Sequence, residues 1–74
     1  MPKREADFRR IAREITEAIE SGELASGSAL PPVQKLAEQH GVSVSTVQRA
    51  LTILEVQGLV EGHQGKAVYV RRER

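Results

Sequence analysis

A chain of 74 residues has room for one small domain, and at that size folding buries only about 60% of the unfolded surface, so one compact core of modest stability is expected. The absence of cysteine excludes disulfides, thiolate catalysis and cysteine-ligated zinc, and it suits a reducing compartment. The formal net charge of +1 conceals an uneven distribution: residues 1–13 carry five basic and two acidic side chains, 14–41 one basic and five acidic, and 42–74 five basic and three acidic. A nucleic-acid binder needs local positive potential more than a high total charge, although a mixed solvated surface gives similar fluctuations. Charges interrupt the apolar positions throughout, leaving no run long enough for a signal sequence or a membrane span. A soluble, cytoplasmic protein is expected.

Residues 1–7 are read as a flexible arm with no apolar anchor, ending in Asp7, which can cap a helix that begins at Phe8. From Phe8 to Ser21 the apolar residues Phe8, Ile11, Ala12, Ile15, Ala18 and Ile19 fall within about 60° of Ile15 on a helical wheel, the pattern of a helix packed on one face. Gly22 ends it. The stretch from Glu23 to Ala29 reads as a loop, with Leu24 tucked back into the core and a turn at Gly27. Leu30-Pro31-Pro32 opens the next helix, since proline is tolerated in a first turn. That helix runs from about Pro32 to His40, with Val33, Leu36 and Ala37 as its inner stripe and Gly41 as its stop.

Only Gly41, Val42 and Ser43 separate it from the following helix, the short glycine-containing connection of a helix-turn-helix pair. Ser43 is a good N-cap and Gly58 a good residue just past the C-terminal end, which bounds a helix from Val44 to Gln57. At about 100° per residue, Val47, Ala50, Leu51 and Leu54 fall on one side and Ser45, Gln48, Arg49 and Thr52 on the other. One face packs. The other carries hydroxyls, an amide and a guanidinium, the groups that reach base edges and phosphates when a helix enters a major groove.

After Gly58, Leu59 to Gly62 and Val68 to Arg71 are strand-like runs joined by residues 63–67, where Gly65 supports a hairpin. Residues 72–74 form a polar tail. Three helices followed by a small hairpin give a mainly α fold with a two-stranded wing, a winged helix-turn-helix domain over residues 8–71.

The chain resembles the N-terminal DNA-binding domain of the GntR family of bacterial transcription regulators, from about Phe8 to Val70. The matching residues are Ile19 with Ser21-Gly22, then Leu24, Gly27 and Leu30-Pro31, then Leu36-Ala37, Gly41-Val42-Ser43, Thr46-Val47, Ala50-Leu51, Leu54, Gly58-Leu59-Val60, and Gly65 with Tyr69-Val70. The resemblance implies DNA contacts at the start of the second helix, along the third and at the wing tip. Carried over by position, Ser43, Ser45 and Thr46 match hydroxyl-bearing contact positions, and Gly65 matches the wing glycine that approaches the minor groove, flanked here by Gln64 and Lys66.

Three arginines usual in the family are absent. Where it has arginine after Leu-Pro-Ser-Glu, after Val-Ser and after Thr-Val, this chain has Gln34, Val44 and Gln48, and Ala67 replaces the second wing glycine. Arginine reads guanine through O6 and N7, whereas glutamine suits adenine N6 and N7, each pair worth roughly 1–3 kcal/mol of discrimination. A site with fewer guanine contacts than the relatives use is therefore expected, with Gln48 reading a base and Arg49 either reading a base or holding phosphate. Lys66 is a phosphate contact or a solvated lysine.

Other chemistry has little support. His40 and His63, with no cysteine or clustered carboxylates nearby in sequence, do not make a tetrahedral metal site. Gly65-Lys66 lacks the spaced glycines and following hydroxyl of a phosphate-binding loop, and no serine stands in a recognisable hydrolase context. No enzyme activity and no cofactor are expected. The reading is a regulator that binds double-stranded DNA, a repressor by analogy with the family, engaging palindromic half-sites as a homodimer on DNA. The family's C-terminal effector domain has no counterpart in these residues, so no small-molecule effector site is expected. The competing reading is a winged helix used for protein–protein interaction, because fold alone does not fix function.

Overall fold

The structure, a computed structural model, describes residues 6–62 and 67–71. Three helices come first: α1 (Asp7–Ser21), α2 (Val33–His40) and α3 (Val44–Val56). Two short strands follow, β1 (Val60–Gly62) and β2 (Val68–Val70). They pair antiparallel with Val60 opposite Val70, Glu61 opposite Tyr69 and Gly62 opposite Val68.

The apolar stripes read from the sequence converge on one core. Ile11, Ala12 and Ile15 of α1, Leu36 and Ala37 of α2, and Val47, Ala50, Leu51 and Leu54 of α3 are buried together with Leu30, Val60 and Val70. Phe8, Ile19, Leu24 and Val33 are partly buried against this cluster. Among the described residues no polar or charged side chain is buried. The core is thus apolar throughout, and the polar groups of the helix-turn-helix stay at the surface.

Two glycines set the angles at which α2 and α3 leave off. Gly41 has φ 68°, and beyond it the Val42 amide donates to the Ala37 carbonyl at 3.0 Å. Gly58 has φ 80°, and the Leu59 amide donates back to the Leu54 carbonyl at 2.9 Å. This six-to-one closure satisfies a helix-end carbonyl and turns the chain sharply, at a backbone conformation that glycine adopts without strain. One turn sends the chain into α3 and the other sends it into the wing. Between α1 and α2, His40 Nδ1 lies 3.3 Å from Glu14 Oε1.

Several element boundaries differ from the sequence reading. Asp7 is the first residue of α1 and does not cap it; Ala6 occupies the cap position without a side-chain bond. The Asp7 carboxylate lies instead 3.5 Å from Arg10, where it still faces the positive end of the helix dipole. Pro32 likewise precedes α2 as its cap residue, with extended ψ 153°, while its carbonyl accepts the Leu36 amide at 3.0 Å. Gln57 is the C-cap of α3 and lies just outside it. Leu59 and Arg71 fall outside the strands, although the Arg71 amide donates to the Leu59 carbonyl at 2.9 Å.

The largest departure is in the segment expected to be a plain loop. The Leu30 amide donates to the Val68 carbonyl at 2.7 Å, the Val70 amide to the Ser28 carbonyl at 2.8 Å, and the Gly27 amide to the Val70 carbonyl at 2.9 Å. Ala29 forms a bridge with Tyr69. Residues 27–30 therefore lie along the free edge of β2, and that strand is bonded on both sides. Satisfying an otherwise open strand edge also removes a template for unwanted pairing.

Candidate nucleic-acid interface

The turn from Gly41 to Ser43 delivers α3 with its N-terminal end exposed. Ser43 has extended backbone angles, and its hydroxyl oxygen accepts from the Thr46 amide at 3.3 Å. The same oxygen lies 3.0 Å from the Thr46 hydroxyl and 3.3 Å from the Ser45 hydroxyl. The three hydroxyls expected from sequence thus form one linked group at the helix start. They stand beside first-turn amides that have no intrahelical acceptor, and such amides favour anions.

Along α3 the division of faces is as expected. Val47, Ala50, Leu51 and Leu54 are buried, whereas Ser45, Gln48, Arg49 and Thr52 are exposed. Thr46 is half-buried, its hydroxyl turned to Ser43. The Thr52 hydroxyl donates to the Gln48 carbonyl at 3.0 Å, so it is engaged by its own helix. No carboxylate occurs from residue 39 to residue 54, and the exposed Glu55 follows in the last turn of α3.

Gln34 is exposed in the first turn of α2. The third group of expected residues, Gln64, Gly65 and Lys66, lies outside the described residues, as does His63. What can be placed is the base of the wing. Gly62 of β1 lies against Glu55 of α3, where a Cβ added to the glycine would meet the Glu55 carboxylate. Arg71, just past β2, lies 3.5 Å from Glu61.

One participant was missed. The Arg49 guanidinium carbon sits over the Phe8 ring, 4.2 Å from its centroid, and that of Arg9 lies 5.7 Å from the same centroid. Phe8 reads from sequence as a packing residue only. It is half-buried against the core and at the same time forms a platform for the arginine of α3. Nothing in the local pattern around either residue signals the pairing, because it joins two separate helices.

Comparison with known proteins agrees with this architecture. Residues 8–70 match the model of the family described as bacterial regulatory proteins, gntR family. The mannosyl-D-glycerate transport/metabolism system repressor MngR of Escherichia coli (strain K12) is 45% identical over 67 residues, which are 90% of this chain and 28% of that protein. The transcriptional regulator LutR of Bacillus subtilis (strain 168) is 47% identical over 53 residues, 72% of this chain and 24% of that protein. The chain therefore spans about a quarter of these relatives' length. Among solved structures, the AraR DNA-binding domain in complex with operator ORX1 superimposes with a TM-score of 0.88 at 28% identity, covering 90% of this chain and 81% of that one. The match from the first turn of α1 to the end of β2, over the helix-turn-helix and its wing, places this chain in the GntR family of bacterial transcription regulators.

Proposed function

We propose that the domain binds operator-type double-stranded DNA through α3 and thereby regulates transcription, acting as a repressor by occupying a promoter. The observation that carries this reading is the exposed face over the first turns of α3, where Ser45, Gln48 and Arg49 stand opposite the buried Val47, Ala50, Leu51 and Leu54 and no carboxylate precedes Glu55. MngR, named a repressor, and AraR, solved on an operator, support it. The α-helix is about 10–12 Å across and the major groove about 12 Å wide, so a single helix presented in this way fills the groove.

In this arrangement the hydroxyl group of Ser43, Ser45 and Thr46 meets the sugar-phosphate backbone at the helix start, and Gln48 reads a base edge. Gln34, from the first turn of α2, contacts phosphate. Gln64, Gly65 and Lys66 carry the wing to the neighbouring minor groove. Two copies occupy palindromic half-sites as a homodimer on DNA, since operator symmetry mirrors protein symmetry. The domain works in the cytoplasm by occupancy, without catalysis.

Gel-shift titration against random duplex pools at low and moderate salt tests the reading. If Z phosphates are contacted, log affinity falls with log salt with a slope of about −0.9Z. A flat salt response, or chemical-shift changes that spare residues 43–49 on adding duplex, would remove α3 as the reading element.

A further inference from the structure

Resting on the DNA-binding reading above, we infer that Phe8 is a positioning residue that holds Arg49 against the sugar-phosphate backbone on the α1 side of the groove, with Arg9 as a second cation beside it. Arg49 then contributes affinity and carries no base preference, and the reading of bases falls to Gln48.

At about 100° per residue, Gln48 and Arg49 flank Ser45 on opposite sides of the exposed face of α3. Arg49 lies on the flank turned to α1, since it reaches the Phe8 ring. Gln48 lies on the flank shared with Glu55, which abuts Gly62 of the wing. A helix that fills the groove meets the groove floor with its front and the two phosphate walls with its flanks. An arginine drawn back onto α1 is therefore withdrawn from the floor and directed to a wall.

The contact itself does two things. A guanidinium over an aromatic face is attracted by the ring's quadrupole, and both arginines lie within the roughly 6 Å over which that attraction is appreciable. Stacking also restricts a long side chain that would otherwise lose rotamer freedom on binding. Among the described residues neither Arg9 nor Arg49 is paired with a carboxylate, in contrast to Arg10, which lies within 3.7 Å of Glu14 and 3.5 Å of Asp7. Both cations lie near the same ring and are left to meet an anion. A phosphodiester supplies that anion.

The test is a double-substitution cycle on duplex affinity, using the full chain and duplexes selected from a random pool by the wild type. Thermal melting of each variant is recorded alongside. Arg49→Ala is expected to make the salt slope shallower by about 0.9, the value for one phosphate, while the selected base preference stays as in the wild type. Phe8→Leu, which keeps an apolar side chain against the core, is expected to weaken binding about two- to fivefold. Phe8→Tyr, which keeps the ring, retains wild-type affinity. The variant with both Phe8→Leu and Arg49→Ala is expected to bind no more weakly than Arg49→Ala alone. An equal loss from Phe8→Leu in both backgrounds would assign Phe8 a packing role and overturn the inference. A changed base preference in Arg49→Ala with an unchanged slope would make Arg49 a base reader and overturn it too. Failure of the wild type to bind any duplex would overturn the interface as a whole, and is recognised before any substitution is made.

Discussion

At the entry to α3 the hydroxyl oxygen of Ser43 accepts from the Thr46 amide at 3.3 Å and stands 3.0 Å from the Thr46 hydroxyl. One residue thus starts the helix and lies at the front of the surface proposed to meet DNA. The two roles separate by substitution. Ser43→Ala removes the cap and is expected to cost about 1 kcal/mol in urea denaturation. Ser43→Asp keeps a capping acceptor, and its charge suits the helix dipole, but it faces phosphate. Stability close to wild type with sharply weaker duplex binding is expected for Ser43→Asp; equal affinity would take this residue out of the interface.

Gln48 is exposed, so Gln48→Ala should change stability by no more than about 0.5 kcal/mol. Its effect is expected in sequence choice. Duplexes selected by the variant should lose preference at one base pair of the half-site, with roughly 1–3 kcal/mol less discrimination there. Identical selected sequences from the two proteins would exclude Gln48 from base reading.

Gly41 holds φ 68° at the turn between the two helices of the motif, a conformation that costs other residues about 1–2 kcal/mol. A Cβ there would meet nothing within 4 Å, so the cost is one of backbone conformation without a clash. Gly41→Ala should lose about that amount in a denaturant melt, and Gly41→Asn should lose less, since asparagine tolerates the left-handed region better. Equal losses from both would point to some cause other than backbone conformation.

Leu54 is fully buried in the last turn of α3, where it also anchors the turn into the wing through its carbonyl. Leu54→Ala is expected to cost about 2–5 kcal/mol through lost transfer energy and a residual cavity. A domain of this size has little stability to lose. The variant should melt at a much lower temperature and bind duplex poorly as a consequence of unfolding. The neighbouring exposed substitution Thr52→Ala, at a side chain bonded only to its own helix, serves as the contrasting case and should change the melt little.

The helices and their inward faces were legible in the chain because their determinants are local. A period near 3.6 places Ile11, Ala12 and Ile15, or Val47, Ala50, Leu51 and Leu54, on one stripe whatever they pack against. Glycine at residues 22, 41 and 58 stops each helix through its own backbone freedom. The hydroxyls at the start of α3 belong to the same class, since a cap bonds an amide three residues away. Helix starts were less well placed. Asp7 can act as a cap or as a first-turn residue paired with Arg10, and the sequence is compatible with both.

Tertiary structure decided what depends on residues far apart along the chain. Residues 27–30 have no strand pattern of their own, and they join β2 with Leu30 bonded to Val68 and with Leu30 and Val70 both in the core. Phe8 and Arg49 carry no mutual signal, and only the packing of α1 across α3 brings a ring beneath a guanidinium. Spacing along a helix fixes which way a side chain points. What it meets there is set by the other elements, whose positions follow from burying apolar surface that each of them lacks the means to cover alone.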